Sequence, residues 1–183
     1  MKNLQLTRAP FAKAEMLIRR SVADVFEAFI NPSITSPFWF TRGSGRLEQG
    51  SRVQWDWEMY EVSVQVTVLS IEEHKRILLE WPGYDGTPTR GEWIFTPLKV
   101  HATFVSITET GFSGNGDEQV KAAIASTEGF TCVLSGLKAF LEHNILLNLV
   151  ADRHPTGIKK TLIGVSFPIS FLPSFPVPAY GAP

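Results

Sequence analysis

The chain has 183 residues, 44% of them hydrophobic and 19% charged, with a formal net charge of -1. That suits one domain with a real core and excludes a disordered composition. It also excludes nucleic acid as a partner, since no basic excess is available to neutralise phosphates.

Residues 11–20 (FAKAEMLIRR) read as a first strand. Ser21 then opens a helix. S-V-A-D is a capping-box-like start, and Val22, Val25, Phe26, Phe29 and Ile30 share one helical face. Asn31-Pro32 interrupts that helix, with Asn31 as a cap and Pro32 at the first position of a second short turn. The aromatic stretch SPFWF, residues 36–40, follows directly.

Strands come next. Val53, Trp55, Trp57 and Met59 alternate with Arg52, Gln54, Asp56 and Glu58, which predicts a half-buried antiparallel strand with its acidic residues on a solvated face. Val62, Val64, Val66 and Val68 continue the alternation. Ile77, Leu79 and Trp81 form a third strand, ended by Pro82-Gly83, and Trp93 and Phe95 a fourth, ended by Pro97. Residues 101–109 (HATFVSITE) are a fifth, rich in β-branched side chains. Arg90 and Glu92 share strand parity and read as a surface pair.

After the glycine-rich stretch GFSGNG the period becomes helical. Phe130, Val133, Leu134, Leu137, Phe140, Leu141 and Ile145 form an apolar stripe on a helix of about 30 residues, capped at its start by Asn115 or Asp117. A run of antiparallel strands followed by a long amphipathic helix is an α+β layout, in which the stripe is buried across the concave face of a curved sheet. Residues 161–183 carry no charge but hold five prolines. Those prolines exclude a membrane span and predict a largely disordered tail after residue 153, or else an arm packed on this or a neighbouring subunit.

The segments SVADVFEAFINP, FWFTRGSGRLEQGSRVQWDWEMY and EGFTCVLSGLKAFLEHN, in this order, resemble the START-like helix-grip superfamily. More closely they resemble the family named for the C-terminal domain of the activator of the ninety-kilodalton heat-shock chaperone's ATPase. The resemblance covers about residues 11–153. It implies an α+β helix-grip fold, in which a curved antiparallel sheet wraps a long C-terminal helix, and a cavity between them. Trp39 and Phe40 would then border the cavity mouth, and Trp55, Trp57, Trp81, Trp93 and Phe95 its strand wall. Phe130, Leu134 and Leu137 would close it from the helix. Packing alone also accounts for buried aromatics, so plain core and pocket wall stay open as readings.

Other chemistry finds little support. The order of glycines in GFSGNG does not match a dinucleotide or phosphate loop, and Ser113 is not in G-x-S-x-G. His74, His101, His143 and His154 are scattered, without ligand spacing, so neither a metal nor a cofactor is expected. Cys132 reads as a buried, inert thiol. It cannot form an internal disulfide, which fits a reducing compartment, and MKNLQLTRAP lacks a secretory apolar run. A cytoplasmic location is expected. Gly129 and Gly136, seven apart in the helix, mark either close approach of another element or room for a ligand. Glu128 would become an acid–base candidate only if it faced the cavity.

The reading that leads is a non-catalytic domain binding a small apolar or amphipathic molecule. The resemblance also raises a chaperone-linked interaction protein. Relatives with that activity carry a second domain, for which this chain has no room, so chaperone activation is not expected. A cavity enzyme of cyclase or hydrolase type is the third reading, but no acid–base pair can be named from the sequence. A homodimer is left open.

Overall fold

The structure is a computed structural model and describes residues 4–83, 85–153 and 155. The tail expected after residue 153 lies outside these but for residue 155.

Seven strands form one antiparallel sheet: β1 (Ala12–Ile18), β2 (Arg42–Gly43), β3 (Arg52–Trp57), β4 (Val62–Glu72), β5 (Arg76–Pro82), β6 (Pro88–Lys99) and β7 (Ala102–Thr110), in the spatial order β1-β7-β6-β5-β4-β3-β2. The chain runs as a meander from β2 to β7, and β1 closes onto β7 from the far end. Register shifts between Val68 and Ser70 and between Pro97 and Lys99 add local twist. The sheet curves, with its concave face toward the long helix.

Between β1 and β2 lie α1 (Val22–Ile30) and α2 (Pro32–Thr35). Both caps form as their residue types predict. Ser21 Oγ accepts from the Asp24 amide at 3.2 Å, and Asn31 Oδ1 accepts from the Ser33 amide at 3.1 Å, with Pro32 at the start of α2. The long helix α3 spans Gly116–His143, 28 residues and about 42 Å. Its start is a full capping box: the Asn115 side chain accepts from Asp117 and Glu118 amides, while Glu118 Oε2 accepts from the Asn115 amide at 2.8 Å. It ends where Asn144 turns left-handed at φ 54°. Ile145 therefore falls outside the helix and is exposed, unlike the rest of its predicted stripe. A last short helix, α4 (Leu149–Asp152), follows.

Phe130, Val133, Leu134 and Leu137 bury the stripe of α3 in the core with Val66, Val68, Ile77, Leu79, Val105 and Ile107 from the strands. Each such side chain contributes roughly 1.5–3 kcal/mol by leaving water.

Several expectations need correction. The strand expected to carry Met59 inward stops at Trp57. A tight 3-10 turn at Glu58–Tyr60 follows, and Met59 is exposed. β6 does not end at Pro97. Its pairing with β5 stops at Ile94, so Pro97 faces only β7 and sits beside the register shift, where a missing amide donor costs little. Arg90 and Glu92 do not pair with each other. Each bonds across to β5, Arg90 Nε to the directly opposed Glu80 at 3.1 Å and Glu92 to Arg76, its diagonal neighbour, at 2.5 Å, because cross-strand partners, direct or diagonal, lie within reach of these long side chains. Cys132 is half-buried rather than buried.

Asp56 is the clearest correction. It does face away from Trp55 and Trp57, but it is buried at 5% exposure instead of solvated. Edge strand β2 brings Arg42 against it at 2.9 Å, and Gln54 Nε2 and Ser63 Oγ donate to its other oxygen at 2.6 Å each. Burial alone would raise its pKa. The bonds from Ser63, Gln54 and Arg42, with the Arg42 charge, prevail and hold it below the usual carboxylate range.

Candidate functional site

A cavity of about 130 Å³ lies between the sheet and α3. Odd positions of β3 point Trp55 and Trp57 into it, and even positions of β4 add Val62, Val64 and Val66. The register pairs Trp55 with Val64 and Trp57 with Val62, so indoles and valines face one space. Trp39 comes from the loop after α2, its ring 4.8 Å from that of Trp55. Trp81 arrives from β5, and α3 supplies Ser126, Gly129, Phe130 and Val133. Tyr60 and Val150 complete the wall where α4 meets the turn after β3. The Tyr60 hydroxyl donates to the Val150 carbonyl.

SPFWF thereby divides its aromatics. Phe38 packs against Phe29 and Phe140 and against the α3 backbone at Gly136. A Cβ on Gly136 would come within 3.3 Å of the Phe38 Cβ and carbonyl oxygen. Trp39 faces the cavity. Phe40 stacks on Trp55 at 5.0 Å, behind the wall. Of the two helix glycines, Gly136 thus serves close approach, and Gly129 lines the space.

Trp39, Trp55, Trp57, Trp81 and Phe130 are brought together on the cavity. Phe40, Trp93, Phe95, Leu134 and Leu137 are not: they belong to the packed core. Trp93, 1% exposed, lies under Trp81 and Phe130, with ring separations of 5.9 Å to each. Phe95 is covered by Phe26 and Phe29 of α1. The layering of Trp81 and Trp93 depends on Gly91, since a Cβ there would meet Trp81 Cη2 at 2.2 Å and Trp93 Cζ3 at 2.7 Å.

One polar residue in this wall was not singled out from the sequence. Glu109 on β7, 4% exposed, reaches the cavity, and the Thr89 hydroxyl donates to its Oε1 at 2.7 Å. Burial pushes its carboxyl above the ordinary range, and hydrogen bonds from Thr89, Ser126 and Trp81 offset part of that rise. Among the described residues no charged side chain pairs with it. The signal was present in HATFVSITE, where Thr103, Val105, Ile107 and Glu109 share the buried parity. Tyr60, Ser126, Val133 and Val150 were missed as well. Their place depends on how α3, α4 and the turn dock.

Glu109, Trp81 and Ser126 also line a second, wider space of about 540 Å³. Its wall is more polar: Thr89 and Ser113 join Asp85, Glu118 and Lys121. Glu109 therefore stands at the junction of an aromatic chamber and a polar one. Glu128 is exposed and pairs with Arg153, away from this junction. Among the described residues no group of three His, Cys, Asp or Glu side chains could hold a metal. No helix there is long and apolar enough to cross a membrane.

Comparison with known proteins agrees with this architecture. The sequence profile described as Activator of Hsp90 ATPase homolog 1-like protein matches residues 19–142. The solved structure of SSP2350 from Staphylococcus saprophyticus is similar at 27% identity and a TM-score of 0.65, covering 75% of this chain and 96% of that one. The Aha1 dimer from Colwellia psychrerythraea is similar at 16% identity and a TM-score of 0.62, covering 73% of this chain and 97% of that one. DynU16, from the dynemicin biosynthetic locus, is similar at 18% identity and a TM-score of 0.64, covering 74% of this chain and 48% of that one. At 16% and 18% identity the likeness is one of fold. A search of curated protein sequences finds no match.

Proposed function

The chain belongs to the Activator of Hsp90 ATPase homolog 1-like family, and from that premise we propose that it is a binding module for a small, mostly apolar molecule held in the cavity between sheet and α3. The observation that carries this reading is the composition of the wall, with four indoles, a phenol and a phenyl ring around one buried carboxyl. Apolar surface with a few placed polar groups is the usual make-up of a small-molecule site. A space of this size suits a ring or a compact branched group rather than a long chain. Binding would remove the remaining exposed area of Trp39, Trp57 and Trp81, all half-buried.

Titration of the purified protein with indole and with toluene, followed by tryptophan fluorescence, tests the reading, alongside native mass spectrometry for co-purifying species. A saturable change that is lost in Trp55→Ala supports it. No saturable change with either titrant, and no bound species, would refute it.

A further inference from the structure

Glu109 sits where a carboxylate is hard to keep. Its neighbours on the paired strands are Gly91 and Ala12, which bring no charge. The side chains that bond to it, Thr89, Ser126 and Trp81, are neutral. An indole N–H can only donate, and the Thr89 hydroxyl donates to Oε1. The carboxyl is thus surrounded by groups that favour its anionic form, yet the described residues pair no positive charge with it. Among the described residues, the other ionisable groups lining these chambers are Asp85 on the β5–β6 turn and Glu118 and Lys121 on α3, in the outer chamber, and Tyr60 in the inner one. Glu118 is already engaged in the α3 capping box.

The inner chamber adds a second and independent feature. Ring faces carry negative electrostatic potential, and alkylated ammonium groups are held by cages of such rings. Trp39, Trp55, Trp57, Trp81, Tyr60 and Phe130 bound the space beside Glu109. A neutral apolar ligand would satisfy the rings and leave the carboxyl without a counter-charge. A cation with an apolar shell would satisfy both.

We propose that the ligand of this cavity is an organic cation, an alkylated ammonium whose charge lies beside Glu109 and whose alkyl groups face the indoles, an assignment that rests on the small-molecule reading of the same cavity. Binding then favours the ionised form of Glu109 and, over the pH range in which that carboxyl titrates, releases a proton to solvent. Affinity for the cation rises with pH, and affinity for an uncharged ligand of the same shape does not.

The test compares choline with its uncharged carbon isostere, the dimethylbutanol in which a tert-butyl group replaces trimethylammonium. Both are titrated into the full chain by calorimetry, at acidic and at alkaline pH. The expected result is that choline binds about tenfold more tightly than the isostere at alkaline pH. That preference shrinks on acidification. Glu109→Gln removes it. The wild-type comparison stands by itself if the variant fails to fold. Calorimetry in two buffers of different ionisation enthalpy reads the released proton directly.

Phosphatidylcholine vesicles form a further arm. Protein that sediments with them takes the cation as a lipid headgroup, whereas free choline binding without sedimentation identifies a small solute. Either result supports the assignment. Equal affinity for choline and its isostere overturns the cation and leaves the cavity reading intact. Affinity for choline that falls as pH rises overturns it too, since that would mean a protonated Glu109 donating to the ligand. If neither compound binds, the cation assignment fails, and the indole and toluene titrations decide separately whether the cavity reading fails with it.

Discussion

Asp56 on β3 and Glu109 on β7 are buried to nearly the same degree, 5% and 4% exposed, on opposite faces of one sheet. On the outer face Asp56 meets Arg42 together with Gln54 and Ser63, and its acidity is strengthened. On the inner face Glu109 meets only neutral donors among the described residues, and burial dominates, so its carboxyl is weakened as an acid. Equal burial has opposite consequences because the local partners differ. An ion pair completed within the chain is a structural device. A buried carboxyl left without a counter-charge beside a cavity is a candidate for binding.

The largest effect expected from breaking this contrast is on the outer face. Asp56→Ala removes the acceptor for three side chains at once and should destabilise the fold by about 3 kcal/mol, read by urea denaturation. A loss below about 1 kcal/mol would show the network to be ordinary solvated surface. On the inner face, Gly91→Ala forces Trp81 off its seat, since the new Cβ would lie 2.2 Å from the ring. The expected cost is about 2 kcal/mol, with changed tryptophan fluorescence from a disturbed wall.

The finest prediction concerns pH. Asp56 has a lowered pKa, so the stability it adds is present above the ordinary aspartate range and fades as pH falls through its folded value. Glu109 has a raised pKa, so the stability linked to it is present below the ordinary glutamate range and fades as pH rises through its folded value. In the ligand-free protein, Glu109→Gln should abolish the decline on the alkaline side and leave the acid limb unchanged. Melting temperatures across pH for wild type and variant check this. Identical profiles would erase the distinction between the two carboxyls.

Much of this architecture was legible before any coordinates. The caps at Ser21, Asn31 and Asn115 follow from side chains that accept amide hydrogen bonds within three residues. The parity of Val53, Trp55 and Trp57 follows from the pleat. The helix stripe from Phe130 to Leu137 follows from its period. The parity of residues 103–109 also carried Glu109 inward, but an acidic residue at a strand end reads as solvated unless the covering element is known.

The amino-acid order alone determined which residues share a face and where helices begin, since these depend on backbone geometry over a few residues, and the apolar stripe of the long helix called for a sheet to cover it. Only the tertiary structure decided which indoles border space and which are layered beneath others, as with Trp81 over Trp93 at Gly91. It also decided that Asp56 would acquire Arg42 from fourteen residues away while Glu109 acquired no charged partner among the described residues. Those outcomes depend on what docks from distant parts of the chain, and the burial and charge environment of a side chain are set by those neighbours.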